Sequence, residues 1–195
     1  MGAMRSDGGP PIEPYCRVPI VIREADPRAP EVAGRVIALI AARRPGAKAE
    51  HVGSSAVPGL AGKGTIDLLL PSPPDEIPAV TRDLLALGFQ PQVVATAFPP
   101  TRPMLQGVIR HDGTSFRVHV HVVPESSPEV PAIRGFRDAL LADPALREEY
   151  AALKRAIVVG GTVDSIAFTK AKHGYIVGVL ERLGLAGDGA PPPSA

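Results

Sequence analysis

The sequence predicts an α/β (α+β) fold, a mixed β-sheet flanked by helices with a helical C-terminal half. Three observations carry that prediction. Short apolar runs of strand length alternate with runs of helical spacing as far as Val123. His111-Asp112-Gly113 separates two β-prone runs, and Asp-Gly in that setting is a strong hairpin signal. Beyond Pro128 the apolar residues read as three successive helices with breaks between them.

Residues 1–14 are rich in Gly and Pro without periodicity and predict a disordered leader. Residues 186–195 have the same character and predict a disordered tail, leaving 15–185 as one folded domain. Within it, residues 17–22 form a short β-prone run. Residues 30–44 predict a helix, with proline in the first turn and Val32, Val36, Leu39 and Ile40 at helical spacing. Pro45-Gly46 ends it. A strand is expected over 48–52, then a glycine-rich loop over 53–64. Residues 65–70 form an apolar run stopped by Pro71, the pattern of a strand covered on both faces. A helix over 75–87 stops at Gly88, and strands follow over 90–95, 104–110 and 114–123. The closing helices are expected over 130–142, 144–158 and 163–183, broken at Asp143-Pro144 and Gly160-Gly161.

Composition narrows the function. Hydrophobic residues make up 45% of the 195, enough for a core, while aromatics supply only 4%. The core must therefore rest on Val, Leu, Ile and Ala. Twenty-one Lys and Arg against 20 acids give a net charge of +1, without the basic excess that an extended nucleic-acid surface needs. The single cysteine, Cys16, excludes an intrachain disulfide and a multi-cysteine metal site. No basic segment precedes an apolar one at the start, and no run has the roughly 18 apolar residues of a membrane span. The expected compartment is the cytoplasm, with no membrane partner.

The segment richest in chemistry is HVGSSAVPGLAGKGTID, residues 51–67. Its glycines let backbone N–H groups converge on an anion. Ser54 and Ser55 add donors, and Lys63 supplies a compact positive charge. Asp67 lies inside the buried strand, where a carboxylate is costly unless it is paired or binds a metal. The alternative is a structural loop whose own Ser and Gly satisfy its backbone. The Lys-Ser or Lys-Thr closure of a Walker loop is absent. His119 and His121, two apart on a strand, share one face with Arg117, while Val118, Val120 and Val122 fill the other. Neutral imidazoles suit Zn, Ni, Cu or Fe, or serve as acid and base, and Arg117 could meet a phosphate. The alternative there is the polar face of a half-exposed strand. His173 and His111 are expected at the surface.

Residues 51–67 resemble the GrpB family, whose corresponding stretch reads like HIGSTxVPGLAxKPxIDI. The run from Phe116 to Val122 is similar to its His-x-His strand. Residues 136–144 (FRDALLADP) resemble its FRDxLRxxP segment, and residues 149–154 (EYAALK) its YxxLK segment. Phe168-Thr169-Lys170, followed by Tyr175-Ile176, resembles its closing YTxxKxxFI. The likeness spans about residues 20–183. It implies a nucleotidyltransferase-like fold, in which a Gly-Ser pair binds nucleotide phosphates and an Asp-x-Asp strand holds divalent metal. Carried over, Gly53 and Ser54 hold phosphate and Asp67 is the first metal carboxylate. The second would fall on Leu69, which departs from the pattern. Family motifs alone promote Arg137, Lys154 and Lys170 to phosphate ligands.

The resulting expectation is a nucleotide- or phosphometabolite-binding protein, with metal-dependent nucleotidyl transfer as its reaction if it is catalytic. Asp67, His119 and His121 are then the catalytic and metal-binding residues. Gly53, Ser54, Ser55, Lys63, Arg117, Arg137, Lys154 and Lys170 are the phosphate-binding ones. The expected cofactor is Mg or Mn, with Zn the ion that imidazoles would favour. The expected partner is a nucleotide or another phosphorylated small molecule. Two alternatives stay open: a catalytically degenerate nucleotide-binding or regulatory module, suggested by Leu69, and a metal-dependent hydrolase using His119 and His121.

Overall fold

A computed structural model describes residues 9–92, 98–161 and 165–185. The first helix, α1 (Ala29–Arg43), carries Pro30 and Glu31 in its first turn and Arg43 in its last. Those are the positions where proline and each sign of charge suit a helix. It buries Ala29, Val32, Ala33, Val36 and Ile40, one stripe at helical spacing. Strand β1 (Glu50–Val52) leads through one 3₁₀ turn at Ser54–Ala56 and the glycine loop into β2 (Thr65–Ser72). After α2 (Ile77–Ala86) come β3 (Gln90–Pro91), β4 (Met104–His111) and β5 (Thr114–Pro124). Helices α3 (Glu129–Ala142), α4 (Pro144–Val159) and α5 (Ser165–Arg182) complete the chain. Asp143 caps α4, its carboxylate accepting from the amides of Ala145 and Leu146 at 2.8 and 3.1 Å.

The strands form one mixed sheet in the order β1-β2-β5-β4-β3. The central pair, β2 and β5, is parallel, and the other pairings are antiparallel. Asp112 and Gly113 both take positive φ, 46° and 73°, so β4 and β5 are joined by the tight turn that Asp-Gly favours. Ile66, Leu68 and Leu70 of β2, with Val118, Val120 and Val122 of β5, pack under α1 and α2. On the opposite face Leu69 and Val123 pack with Val52 and with Val130 and Ile133 of α3. Alternation along the strands therefore puts Asp67, His119 and His121 on the α3 side.

Most elements fall within two residues of expectation, with informative departures. Strand β2 continues through Pro71, because β1 pairs no further than Leu69 and a missing N–H is tolerated on the open side. Residues 17–22 form no strand. Pro19 withholds a ladder donor, and only Arg23 bridges, to Gly62. The expected strand over 90–95 is seen at Gln90–Pro91, and residues 93–97 lie outside the described residues. His111 is buried rather than at the surface, because the hairpin tucks its ring against Arg35 of α1, Nδ1 to Nη1 2.8 Å. No helix among the described residues is long and apolar enough to cross a membrane.

The core also reaches back before residue 15. Ile12 is buried, its amide donates to the Leu87 carbonyl, and Glu13 exchanges both backbone hydrogen bonds with Val108. Residues 1–8 and 186–195, the rest of the expected leader and the whole expected tail, lie outside the described residues. Two glycines admit the N-terminal segment. A Cβ on Gly88 would stand 2.1 Å from the Ile12 carbonyl oxygen, and one on Gly107 would stand 2.2 Å from Ile12 Cγ2. Gly88 also has φ of 103°, closed to other residues at low energy. Gly88→Ala is expected to cost about 2–3 kcal/mol in a denaturant melt. Gly107→Ala should cost about 1–3 kcal/mol and couple to Ile12→Ala, the double variant losing less than the sum of the singles. Additive losses would mean that the segment does not press on β4.

Candidate functional site

Asp67 pairs across β2–β5 with His119, and Leu69 with His121, so three polar side chains project from neighbouring rungs. Asp67 Oδ1 lies 3.3 Å from His119 Nδ1 and 3.7 Å from His121 Nε2. All three residues are buried, at 3%, 7% and 2% exposure. Burial by itself would raise the Asp67 pKa. The two imidazoles and the charge of Lys63 reverse that and hold the carboxylate well below its usual range. Burial keeps both imidazoles neutral, lowering His119 and taking His121 to about 4 against the pull of Asp67.

The glycine loop closes over this carboxylate. Gly53 has φ of 71°, and a Cβ there would stand 2.9 Å from Asp67 Oδ2. Only glycine lets the backbone pass so near the acid. Past Gly53, Ser55 Oγ lies 3.0 Å from His51 Nε2. Ser54 Oγ accepts from Lys154 Nζ at 2.9 Å, and the same ammonium donates to the Ala61 carbonyl. Gly62 leaves room for that arrangement, its absent Cβ facing Ser54 Cβ at 3.2 Å and Lys154 Nζ at 3.8 Å. Arg117 donates to the Lys63 carbonyl at 2.7 Å and fixes the far end of the loop. The result is a cavity of about 160 Å³ lined by Ser54, Ser55, Lys63, Asp67, Lys154 and Phe168, among others.

Three lysines gather around this cavity. Lys154 is 1% exposed and lies 4.5 Å from the centre of the Tyr150 ring; burial, with repulsion from Arg155 and Lys63, lowers it to about 7. Lys172 of α5 is fully buried, 4.8 Å from the Phe168 ring centre. Burial, then the charges of Lys63 and Lys154, push its pKa down, while Asp67 opposes them. Lys63 is lowered by burial and by Arg117, again opposed by Asp67. Three lysines thus act electrostatically on one another near one carboxylate, an arrangement that favours an anion.

The sequence profile of the family described as GrpB protein matches residues 19–182. The chain belongs to the GrpB family. It is 33% identical over 144 residues to a UPF0157 protein of Pseudomonas aeruginosa, covering 71% of this chain and 56% of that one. It is 32% identical over 142 residues to a UPF0157 protein of Streptomyces coelicolor, covering 70% and 69%. The chain thus spans little more than half the length of the first relative and about two thirds of the second. The crystal structure of GrpB from Enterococcus faecalis superposes with a TM-score of 0.67 at 20% identity, over 85% of this chain and 97% of that one. A chain of the GLD-2/RNP-8 complex matches with a TM-score of 0.52 at 12% identity, over 80% and 61%. At such identities the likeness is one of fold, and the fold is nucleotidyltransferase-like.

In this GrpB chain, Gly53, Ser54, Ser55, Lys63, Asp67 and Lys154 come together around the cavity and its loop. His119 and His121 stand beside Asp67. Arg117 contacts the loop through a backbone carbonyl. Arg137 is spent on β1, with Nη1 3.3 Å from the His51 carbonyl oxygen and 3.5 Å from Glu50 Oε2, and its Nε 2.8 Å from Asp138. Lys170 is exposed on the outer side of α5. The buried lysine of α5 is Lys172, which the motif reading missed. Spacing could have found it, because Phe168, Lys172 and Ile176 recur every four residues on one helix face. Tyr15, whose ring centre lies 5.5 Å from that of His119, was also missed.

The histidines predict a pH dependence of stability. Burial lowers His51 to about 4, raised in part by Asp67 and lowered further by Arg137, and His121 also reaches about 4 from an ordinary 6.5. The unfolded chain therefore binds more protons between about pH 4 and 6.5. Stability from these groups is complete above 6.5 and is lost as pH falls through 4. Melting temperatures between pH 7 and 4 should fall accordingly, with a shallower slope in His51→Gln. An unchanged slope would remove His51 from the account.

Proposed function

We propose that this GrpB chain binds a nucleotide or another phosphorylated small molecule, its phosphate group lodged in the cavity against Ser54, Ser55, Lys63 and Lys154. The observation that carries this reading is the group of three lysines at that cavity, Lys63 and Lys154 lining it and Lys172 fully buried beside them. Burying ammonium groups is costly, and a bound phosphate offsets the cost through charge-assisted hydrogen bonds. Lys172 supports the site by charge, Gly53 by admitting the backbone, and Arg117 by holding the loop carbonyl. Asp67 presents a carboxylate for a divalent cation that would meet the phosphate from the sheet side, with His119 and His121 beside it. If the chain is catalytic, the reaction class is nucleotidyl transfer. A cytoplasmic location and the absence of an extended nucleic-acid partner belong to the same reading, the latter supported by the net charge of +1.

Leu69 favours a second reading. Fully buried in the apolar group of Val52, Val123, Val130 and Ile133, it occupies the place where a second metal carboxylate would stand. A chain built this way could bind nucleotide without transferring it, as a degenerate module that serves a partner enzyme.

Titration of a panel of nucleoside triphosphates, inorganic phosphate and pyrophosphate, with and without Mg or Mn, separates these outcomes. Lys154→Met and Lys63→Ala are each expected to weaken binding about 10- to 100-fold, the range for a lost hydrogen bond to a charged group. Asp67→Asn should remove the part of the affinity that depends on metal, and all turnover if turnover exists. Binding that survives both lysine changes would reject the phosphate site. Binding without product under any metal would select the second reading.

A further inference from the structure

We propose that Asp67, His119 and His121 form a centre for a single transition-metal ion, with Tyr15 as the positioning residue that makes His119 coordinate through Nδ1. This deepens the reading above, since the ion is the cation that Asp67 would present to a phosphate. It replaces the pair of magnesium ions that the fold implies. A magnesium pair does not fit these residues. Magnesium prefers oxygen ligands in near-octahedral geometry, whereas two of the three donors here are imidazole nitrogens and position 69 offers only a leucine side chain. A set of one carboxylate oxygen and two imidazoles suits zinc, cobalt, nickel or iron.

The geometry supports one ion. The donor atoms all lie within 4.8 Å of one another, on adjacent rungs of two paired strands. Tetrahedral zinc with bonds near 2.1 Å holds its ligands about 3.4 Å apart, and the carboxylate oxygen stands 3.3 and 3.7 Å from the two nitrogens. Asp67 Oδ1 is completely buried and accepts no well-formed hydrogen bond, despite its two imidazole neighbours. Such an oxygen is costly to bury, and an ion shared with the two nitrogens satisfies it. Three protein ligands leave a coordination position for water or a phosphate oxygen, as in catalytic rather than structural zinc sites.

His119 turns Nδ1 to Asp67 and Nε2 to the Tyr15 hydroxyl, 3.4 Å away. Coordination through Nδ1 requires the proton on Nε2, which then donates to the Tyr15 oxygen and fixes the tautomer. Tyr15 is itself held, its amide donating to Gln90 Oε1 at 3.1 Å just after the Ile12–Glu13 anchor on β4. It lies outside the segment matched by the family profile, residues 19–182.

The test uses the full chain carrying Cys16→Ser, which removes the exposed thiol as a competing ligand. Zinc, cobalt, manganese and magnesium are each titrated alone by calorimetry, and the cobalt form is followed by its visible absorption. One zinc or cobalt per chain is expected, with magnesium at least 100-fold weaker. Asp67→Asn, His119→Gln and His121→Gln should each abolish tight binding. Tyr15→Phe, at a half-buried position whose ring is kept, should weaken zinc binding about 10- to 100-fold and shift the cobalt spectrum. Circular dichroism confirms that each variant is folded. Magnesium binding as tight as zinc would overturn the proposal, as would zinc binding that survives His121→Gln. Parallel titration with inorganic phosphate keeps the two readings apart. Phosphate binding without any zinc site sinks this proposal alone, and a zinc site without phosphate binding sinks only the earlier one.

Discussion

An acid buried in the middle of a parallel β-ladder constrains everything around it. Asp67 stands between β1 and β5, with apolar neighbours Ile66 and Leu68 turned to the other face. A carboxylate there is tolerable only if its surroundings compensate for lost water. Each nearby feature does so in its own way. The β2–β5 register sets His119 and His121 beside it, Gly53 brings the loop backbone against it, and Lys63 supplies positive charge from above. A one-residue slip of β5 would turn both histidines to the α1 side and bring valines to the acid. Register, loop conformation and charge placement are thus one problem with one solution.

Two long-range ties keep that solution rigid. Lys154 of α4 joins Ser54 to the Ala61 carbonyl and pins both limbs of the glycine loop to the helical layer. The N-terminal segment does similar work from the other end. It is anchored at Ile12–Glu13 on β4 and again at Arg23 on Gly62, and between the two it lays Tyr15 against His119. The loop is therefore tied to a helix on one side and to an extended segment on the other. Gly62 takes part in both ties, through its backbone bonds to Arg23 and through the room it leaves Lys154.

How much of this was legible in the sequence follows from the range of each interaction. Helices, strands and the Asp-Gly hairpin were legible because periodicity and turn chemistry are local. The shared face of Asp67, His119 and His121 needed only strand alternation and the family likeness. The family motif points to Lys170, whereas the lysine that α5 buries is Lys172, because a motif match carries no information about helix face. Arg117 and Arg137 looked like phosphate ligands, yet both donate to backbone carbonyls, and sequence does not reveal where a guanidinium spends its donors. Tyr15 was out of reach altogether, because its partner lies 104 residues away and its surroundings read as loop. Gly88 and Gly107 look like ordinary breakers until Ile12 is placed against them.

The charges of the site bear on its stability as well as its binding. Burial lowers the proton affinity of Lys63, Lys154 and Lys172, and the charge of Lys63 adds to the lowering at Lys154 and Lys172. The Tyr150 and Phe168 rings, the Ala61 carbonyl and Asp67 offset part of this. An anion would offset more, and by mass action it would stabilise the folded chain in proportion to its affinity. A cation at Asp67 works in the opposite direction on the same lysines, by neutralising the carboxylate that now balances them. If both bind as proposed, metal and phosphate would be coupled through the lysines. An ion held by Asp67, His119 and His121 would increase the net positive charge facing the cavity, which would favour a phosphate beside the lysines. Because coupling of this kind is reciprocal, phosphate would then tighten the ion by the same factor. That reciprocity would follow from charge placement alone, whether or not a bond is ever transferred there.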